Sequence, residues 1–187
     1  MITEKWGGVD QQLYESGVIV LPSVIEEDSL LEPIKAAVSM GTQRHVDTVR
    51  VFINSYGGDA AQAVQFAEVL LGLSQRVITY GIGEICSAGV LIFLAGDERI
   101  ATPRTVFLLH QYSWDKEGKY HELAARRKIE DSYFTMLYKY VAERSSVEAA
   151  DLESAKSDSW LMAKEAKRVK IVTKLVNRIK IPKIGGE

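Results

Sequence analysis

Four short apolar runs of strand length, separated by stretches of helical periodicity, constrain this chain more than any other feature. They are Val18-Ile19-Val20-Leu21, Val49-Arg50-Val51-Phe52-Ile53-Asn54, Val77-Ile78-Thr79-Tyr80-Gly81-Ile82 and Val106-Phe107-Leu108-Leu109. Strands of this length alternating with helices predict an α/β fold with a largely parallel sheet, because parallel neighbours need a crossover between them. Helical spacing is expected over residues 27–40, 60–73 and 119–144. Residues 87–94 fit a short helix so apolar on every side that it belongs in the interior. Ser145 precedes Glu148 by three residues, the spacing of a capping box, which predicts one more short helix.

Composition narrows the class. A chain of 187 residues, 47% hydrophobic and 26% charged, can bury a core of its own and is not a disordered one. A net charge of −2 gives no footprint for nucleic acid or for an anionic membrane surface. The single cysteine, Cys86, can form no internal disulfide, and no CxxC metal motif is present. No apolar run is long enough to span a bilayer, and Met1–Gly8 carries no basic-then-apolar leader pattern. The expectation is a cytoplasmic protein of one domain, 1–187, without metal or cofactor.

Chemistry is expected in three loops at strand ends, where α/β folds collect ligands. Asn54-Ser55-Tyr56-Gly57-Gly58-Asp59 pairs two glycines, which suits close approach to a ligand and equally a plain turn capped by Asp59. Gly83-Glu84-Ile85-Cys86-Ser87-Ala88-Gly89 sets a serine at a helix entrance, beside unpaired N–H groups. Ser87 there can be a nucleophile or a simple cap. It is not the G-x-S-x-G elbow, because Ile85 stands two before it. Leu108-Leu109-His110-Gln111 ends an apolar strand in an imidazole, either a core residue or the base that a serine nucleophile needs. His45 and His121 read as surface residues, and Cys86 as a small residue packed under its loop.

Together these loops resemble ClpP, the proteolytic core of an ATP-dependent bacterial and organellar protease. The resemblance rests on Val51-Phe52-Ile53-Asn54-Ser55-Tyr56-Gly57-Gly58, Ile85-Cys86-Ser87-Ala88-Gly89, Ala101-Thr102-Pro103, Leu108-Leu109-His110-Gln111 and the segment from Ser157 to Ala166. It implies a ClpP/crotonase-like stacked β-sheet core, a short N-terminal segment over 1–17, a protruding handle helix over 119–144 and a loose tail over 177–187. It implies Ser87 as nucleophile, His110 as general base, Asp158 as the carboxylate orienting the imidazole, and an oxyanion hole from the N–H groups of Gly58 and Ala88. Without it, Asp158 could not be chosen over Asp115, Asp131 or Asp151. It also implies peptide substrates, a homo-oligomer of two stacked heptameric rings, and an AAA+ unfoldase as feeder.

Several positions depart from the family pattern. Tyr56 and Tyr112 stand where prolines are usual, Ser157 where an arginine commonly bridges rings, and Ser113–Gly118 where the substrate-lining strand is richer in glycine. Arg50 and Gly72 occupy two usually aromatic positions of the unfoldase-docking pocket. Such a chain is a divergent member, phage-encoded (and then in the host cytoplasm) or accessory. The other functions to weigh are a non-catalytic ring subunit, a capsid-maturation protease and a crotonase-type acyl-CoA enzyme. On the handle helix, Tyr133, Phe134, Leu137, Tyr138, Tyr140 and Val141 exceed one apolar stripe, which suggests either a partner surface or burial on two faces.

Overall fold

The computed structural model describes residues 8–43, 45–112 and 119–181. In chain order the elements are α1 (Gly8–Glu15), β1 (Val18–Val20), α2 (Leu31–Gly41), β2 (Thr48–Ser55), α3 (Ala60–Leu71), β3 (Arg76–Cys86) and α4 (Ala88–Leu94). They continue with β4 (Glu98–Ala101), β5 (Val106–Leu109), α5 (Tyr120–Arg144), α6 (Ala149–Glu153), β6 (Ser159–Met162), α7 (Ala163–Arg168) and β7 (Lys174–Leu175). The strands run in the order β1-β2-β3-β4-β7, with β5 joined to β3 and β6 joined to β5. Every pairing is parallel except β5 with β6.

β3 organises this sheet. Its first part, Ile78 to Gly81, pairs with β4, and its last part, Glu84 to Cys86, pairs with β5. The bend between them falls at Gly83, whose φ of +75° suits glycine, and a register shift in β2 between Ile53 and Ser55 accompanies it. The glycine-bearing stretch after Ile82, read from sequence as a loop, is therefore a continuing strand. The glycines there bend the strand rather than end it.

The core lies on the face where α3 and α4 pack, with all seven residues of α4 buried. Asp59 caps α3 by accepting from the N–H groups of Ala61 and Gln62 (2.7 and 3.0 Å). On the opposite face Val18, Phe52, Ile78, Tyr80 and Ile100 form a second cluster, covered by Leu13, Val176 and Ile179. No helix among the described residues is long and apolar enough to cross a membrane.

Other expectations shift. The helix expected from residue 27 begins at Leu31, because Asp28 is left-handed (φ 62°) and residues 27–30 form turns. The capping box at Ser145 does not form. That hydroxyl donates to Val141 O (2.6 Å) and accepts from Val147 N (3.1 Å), while α6 starts at Ala149. The apolar surplus on α5 is buried within the chain: Leu137, Tyr138 and Val141 are core, and Tyr133, Phe134 and Tyr140 pack against it. Among the described residues, the large apolar side chains exposed on α5 are instead Ile129 and Met136.

Candidate active site

β3 ends at Cys86 and α4 begins at Ala88, so Ser87 alone makes the turn from strand to helix. Its backbone is left-handed, with φ 54° and ψ −123°, an uncommon conformation for a residue with a Cβ. Two bonds hold it there: Ser87 N donates to Leu108 O (2.9 Å), and Val90 N donates to Ser87 O (2.9 Å). The side chain makes no capping bond, so the cap reading of Ser87 fails. Strain of this kind costs on the order of 1–3 kcal/mol and persists where the surroundings over-determine it.

The glycine loop sits against this turn. A Cβ on Gly57 (φ +88°) would lie 2.6 Å from Cys86 O and 2.7 Å from the Ser87 Cβ, so only glycine admits this approach. Gly58 (φ +136°) packs on Ile25, which bridges to it in parallel fashion. Ser55 supports the loop: its buried hydroxyl accepts from Gly57 N (3.2 Å) and its Cβ lies in close packing with Gly89. Among the described residues, no hydrogen bond takes up the N–H of Gly58 or of Ala88.

β5 delivers the imidazole. Because Ser87 N is tied to Leu108 O, His110 is only two residues beyond the strand position that anchors the serine. Ser87 and His110 line one cavity with Val90, Leu91, Tyr112 and Tyr138. The His110 ring places Nδ1 at 2.5 Å from Gln111 O. The antiparallel β5–β6 register runs Val106 with Met162 down to Leu109 with Ser159. His110 follows the last residue of β5 and Asp158 precedes the first of β6; Asp158 is exposed and makes no ion pair or hydrogen bond among the described residues. Asp131 and Asp151 are exposed on α5 and α6, and Asp115 lies outside the described residues. The altered stretch at 113–118 also lies outside them.

The remaining candidates separate cleanly. Cys86 is buried, and burial, with the nearby Glu84 charge, raises its thiol pKa, so it stays protonated. His45 and His121 are exposed. No group of three or more metal-ligating side chains occurs among the described residues.

Residues that sequence reasoning passed over hold α4 in place. Arg144 donates to Leu94 O, Ala95 O and Gly96 O at 2.9, 3.2 and 3.1 Å, closing the carbonyl end of the helix that Ser87 opens. Tyr140 donates to Leu91 O (3.1 Å).

A sequence model of the family described as Clp protease matches residues 2–178. The chain belongs to the Clp protease family. The ATP-dependent Clp protease proteolytic subunit 3 of Rhizobium meliloti is 25% identical over 173 residues, covering 91% of this chain and 88% of the relative. Proteolytic subunit 2 of Pseudomonas aeruginosa is 29% identical over 133 residues, 70% of this chain and 66% of the relative. A ClpP1 variant from Listeria monocytogenes superposes with a TM-score of 0.80 at 21% identity, covering 91% and 96% of the two chains. At that identity the likeness speaks for the fold, and this family member has the ClpP fold.

Proposed function

We propose that this chain is a serine endopeptidase subunit in which Ser87, His110 and Asp158 act as one unit. The observation that carries the reading is Ser87 itself. It is a strained, uncapped serine at a strand-to-helix turn, with two free N–H groups beside it and a histidine on the same cavity. Strain at a residue that makes no structural use of its side chain favours a chemical role for that side chain.

His110 takes the proton of Ser87 as the oxygen attacks the scissile carbonyl. The oxyanion is received by the N–H groups of Gly58 and Ala88, where one such donor is worth about 3–4 kcal/mol of barrier. His110 then returns the proton to the leaving amine, and water releases the acyl group by the same route in reverse. Asp158 holds the imidazole in the tautomer that leaves Nε2 free to accept.

The reading includes assembly into a closed ring, two rings of seven by resemblance to the family, with peptides or unfolded chains as substrate. The exposed Ile129 and Met136, one heptad apart on α5, support a role for that helix between copies. An ATP-dependent unfoldase is the feeder that the family resemblance suggests. A non-catalytic subunit is favoured by one observation, the engagement of His110 Nδ1 by Gln111 O.

Fluorophosphonate labelling separates the two. The peptidase reading expects a single adduct, on Ser87, and loss of peptide hydrolysis in Ser87→Ala with assembly intact. No adduct on the assembled protein, or hydrolysis that survives in Ser87→Ala, refutes it.

A further inference from the structure

We propose that Tyr112 is a positioning residue for His110, a wedge that fixes the end of β5 to α5 and so governs where the imidazole can reach. This rests on the peptidase reading. Tyr112 lies two residues past His110 and stacks on Phe134, with ring centroids 5.0 Å apart and planes 11° off parallel. It meets Tyr138 at 5.4 Å and 31°. Phe134 and Tyr138 are four residues apart, so both project from one face of α5. The N–H of Tyr112 also donates to the Tyr138 hydroxyl (3.4 Å).

A second tie lies beside the first. Gln111 Nε2 donates to Glu153 O (2.5 Å) at the end of α6, and Thr135 on α5 donates to the Glu153 carboxylate (3.3 Å). Gln111 and Tyr112, the two residues directly after His110, are therefore held to α6 and α5. A proline at position 112 could offer neither the stacked ring nor the N–H.

The consequence concerns motion. For Asp158 to receive Nδ1–H, as the peptidase reading requires, the imidazole must leave Gln111 O. A shift of α5 reaches that hinge through the Tyr112 stack, because flat rings in contact transmit displacement instead of absorbing it. Tyr112 therefore makes the geometry of His110 follow the position of α5. A residue that only fills space would leave the chemistry of the folded protein unchanged.

The test uses the assembled full-length protein and three variants: Tyr112→Leu, Phe134→Leu and Tyr112→Phe. Steady-state cleavage of a short fluorogenic peptide, the rate of fluorophosphonate labelling at Ser87 and the thermal midpoint are measured for each. Tyr112→Leu and Phe134→Leu are expected to lower kcat by roughly ten- to a hundredfold, with KM moving less than about threefold. Labelling should slow by the same factor, and Tyr112→Phe should recover most of both losses, since the ring and not its hydroxyl makes the stack. A folded Tyr112→Leu with unchanged kcat and labelling rate overturns the proposal, and so does a loss confined to KM. Should Tyr112→Leu not fold, Phe134→Leu decides by the same readouts, and failure of both to fold overturns a positioning role. A natural protein that fluorophosphonate does not label fails before any variant is made, which refutes the peptidase reading and this proposal with it.

Discussion

His110 sets its Nδ1 2.5 Å from the main-chain oxygen of Gln111, while Asp158, the residue before β6, is exposed. In the peptidase reading, a His110–Asp158 contact requires the imidazole ring to leave Gln111 O. Catalytic hydrogen bonds are often incomplete without substrate and tighten on binding. Among the described residues nothing holds the exposed Asp158, so assembly is the step expected to complete the contact. The surface to disturb is Ile129 and Met136, exposed by 67% and 47%. Leu137, buried at 1%, would report only on the fold. Ile129→Glu with Met136→Glu is expected to lower particle mass and peptidase rate together, read by light scattering and peptide cleavage on the same samples. A monomer of full activity would contradict this.

Arg99 and Arg144 form a clasp without a carboxylate. The buried Arg99 guanidinium donates to Ile171 O (2.8 Å), Gly96 O (3.1 Å), Lys170 O and Arg144 O (both 2.9 Å). Burial and the neighbouring Arg144 charge lower its pKa from the usual value. A lysine cannot span four carbonyls from one ammonium. Arg99→Lys is therefore expected to cost about 2–4 kcal/mol in urea unfolding, close to the cost of Arg99→Met. Equal stability of Arg99→Lys and the natural protein would show that the fork geometry is immaterial.

What was legible in the chain divides along physical lines. β5 could be bounded at Val106 and Leu109, and α4 recognised as interior, because uninterrupted apolar runs depend on burial alone. The glycine loop and Ser87 stood out because both sit where a strand must turn. β4, β6 and β7 were missed. They are two to four residues long, β4 largely buried and β6 largely exposed, and partners distant in sequence define them. The clasp was invisible for the same reason, since a lone arginine in a strand does not announce which carbonyls will converge on it. Asp158 is chosen by family resemblance alone, because a carboxylate in a late polar segment carries no local mark of its partner. On α5 the apolar surplus fits a partner surface and burial on two faces alike, because helical periodicity counts apolar faces without saying what covers them; the structure has the second.

Cys86 offers a control on the neighbouring serine. Its burial and raised thiol pKa keep it neutral and out of reach, so iodoacetamide is expected to leave it unmodified in the native protein. Peptide cleavage should survive the same treatment. Rapid alkylation of Cys86 with loss of activity would point to the thiol instead of the hydroxyl.

Alkaline pH should weaken the hold of α5 on α4. Burial pushes the Tyr140 hydroxyl up to about 12, and Tyr112, Tyr133 and Tyr138 are raised by the same cause. The unfolded chain releases these protons near pH 10, before the folded one does. Stability from Tyr140 is thus full below pH 10 and lost as pH rises toward 12, by roughly 2–3 kcal/mol. Denaturation midpoints measured from pH 8 to 12 should fall along that limb. Tyr140→Phe should start about 1 kcal/mol lower, having lost the bond to Leu91 O, and fall less steeply. Identical slopes would exclude Tyr140 as the titrating group.

The docking of an unfoldase is expected to be weak. Phe52 stacks on Tyr80 at 4.7 Å, but both rings are buried with Leu13, Val176 and Ile179 packed against their cluster, so they leave a partner loop little free apolar surface. Arg50 projects to the same face of β2 as Phe52, two residues away. Its guanidinium donates to Thr48 O (3.3 Å), and it lines a polar hollow with Glu15, His45 and Asp47. An apolar loop laid there would strip water from a charge whose nearest bond is a long one, and that desolvation opposes docking. Gly72, at the end of α3, contributes no side chain to the contact. Position 72 is sterically open, since a Cβ there would meet only Glu68 O at 3.4 Å and Val69 O at 3.6 Å. Arg50→Tyr with Gly72→Phe is therefore expected to fold, to keep peptide cleavage, and to raise ATP-dependent degradation of a tagged folded protein by a ClpX-type or ClpA-type unfoldase. Efficient degradation by the natural protein with the same unfoldase, and no gain in the variant, would overturn this account of the face.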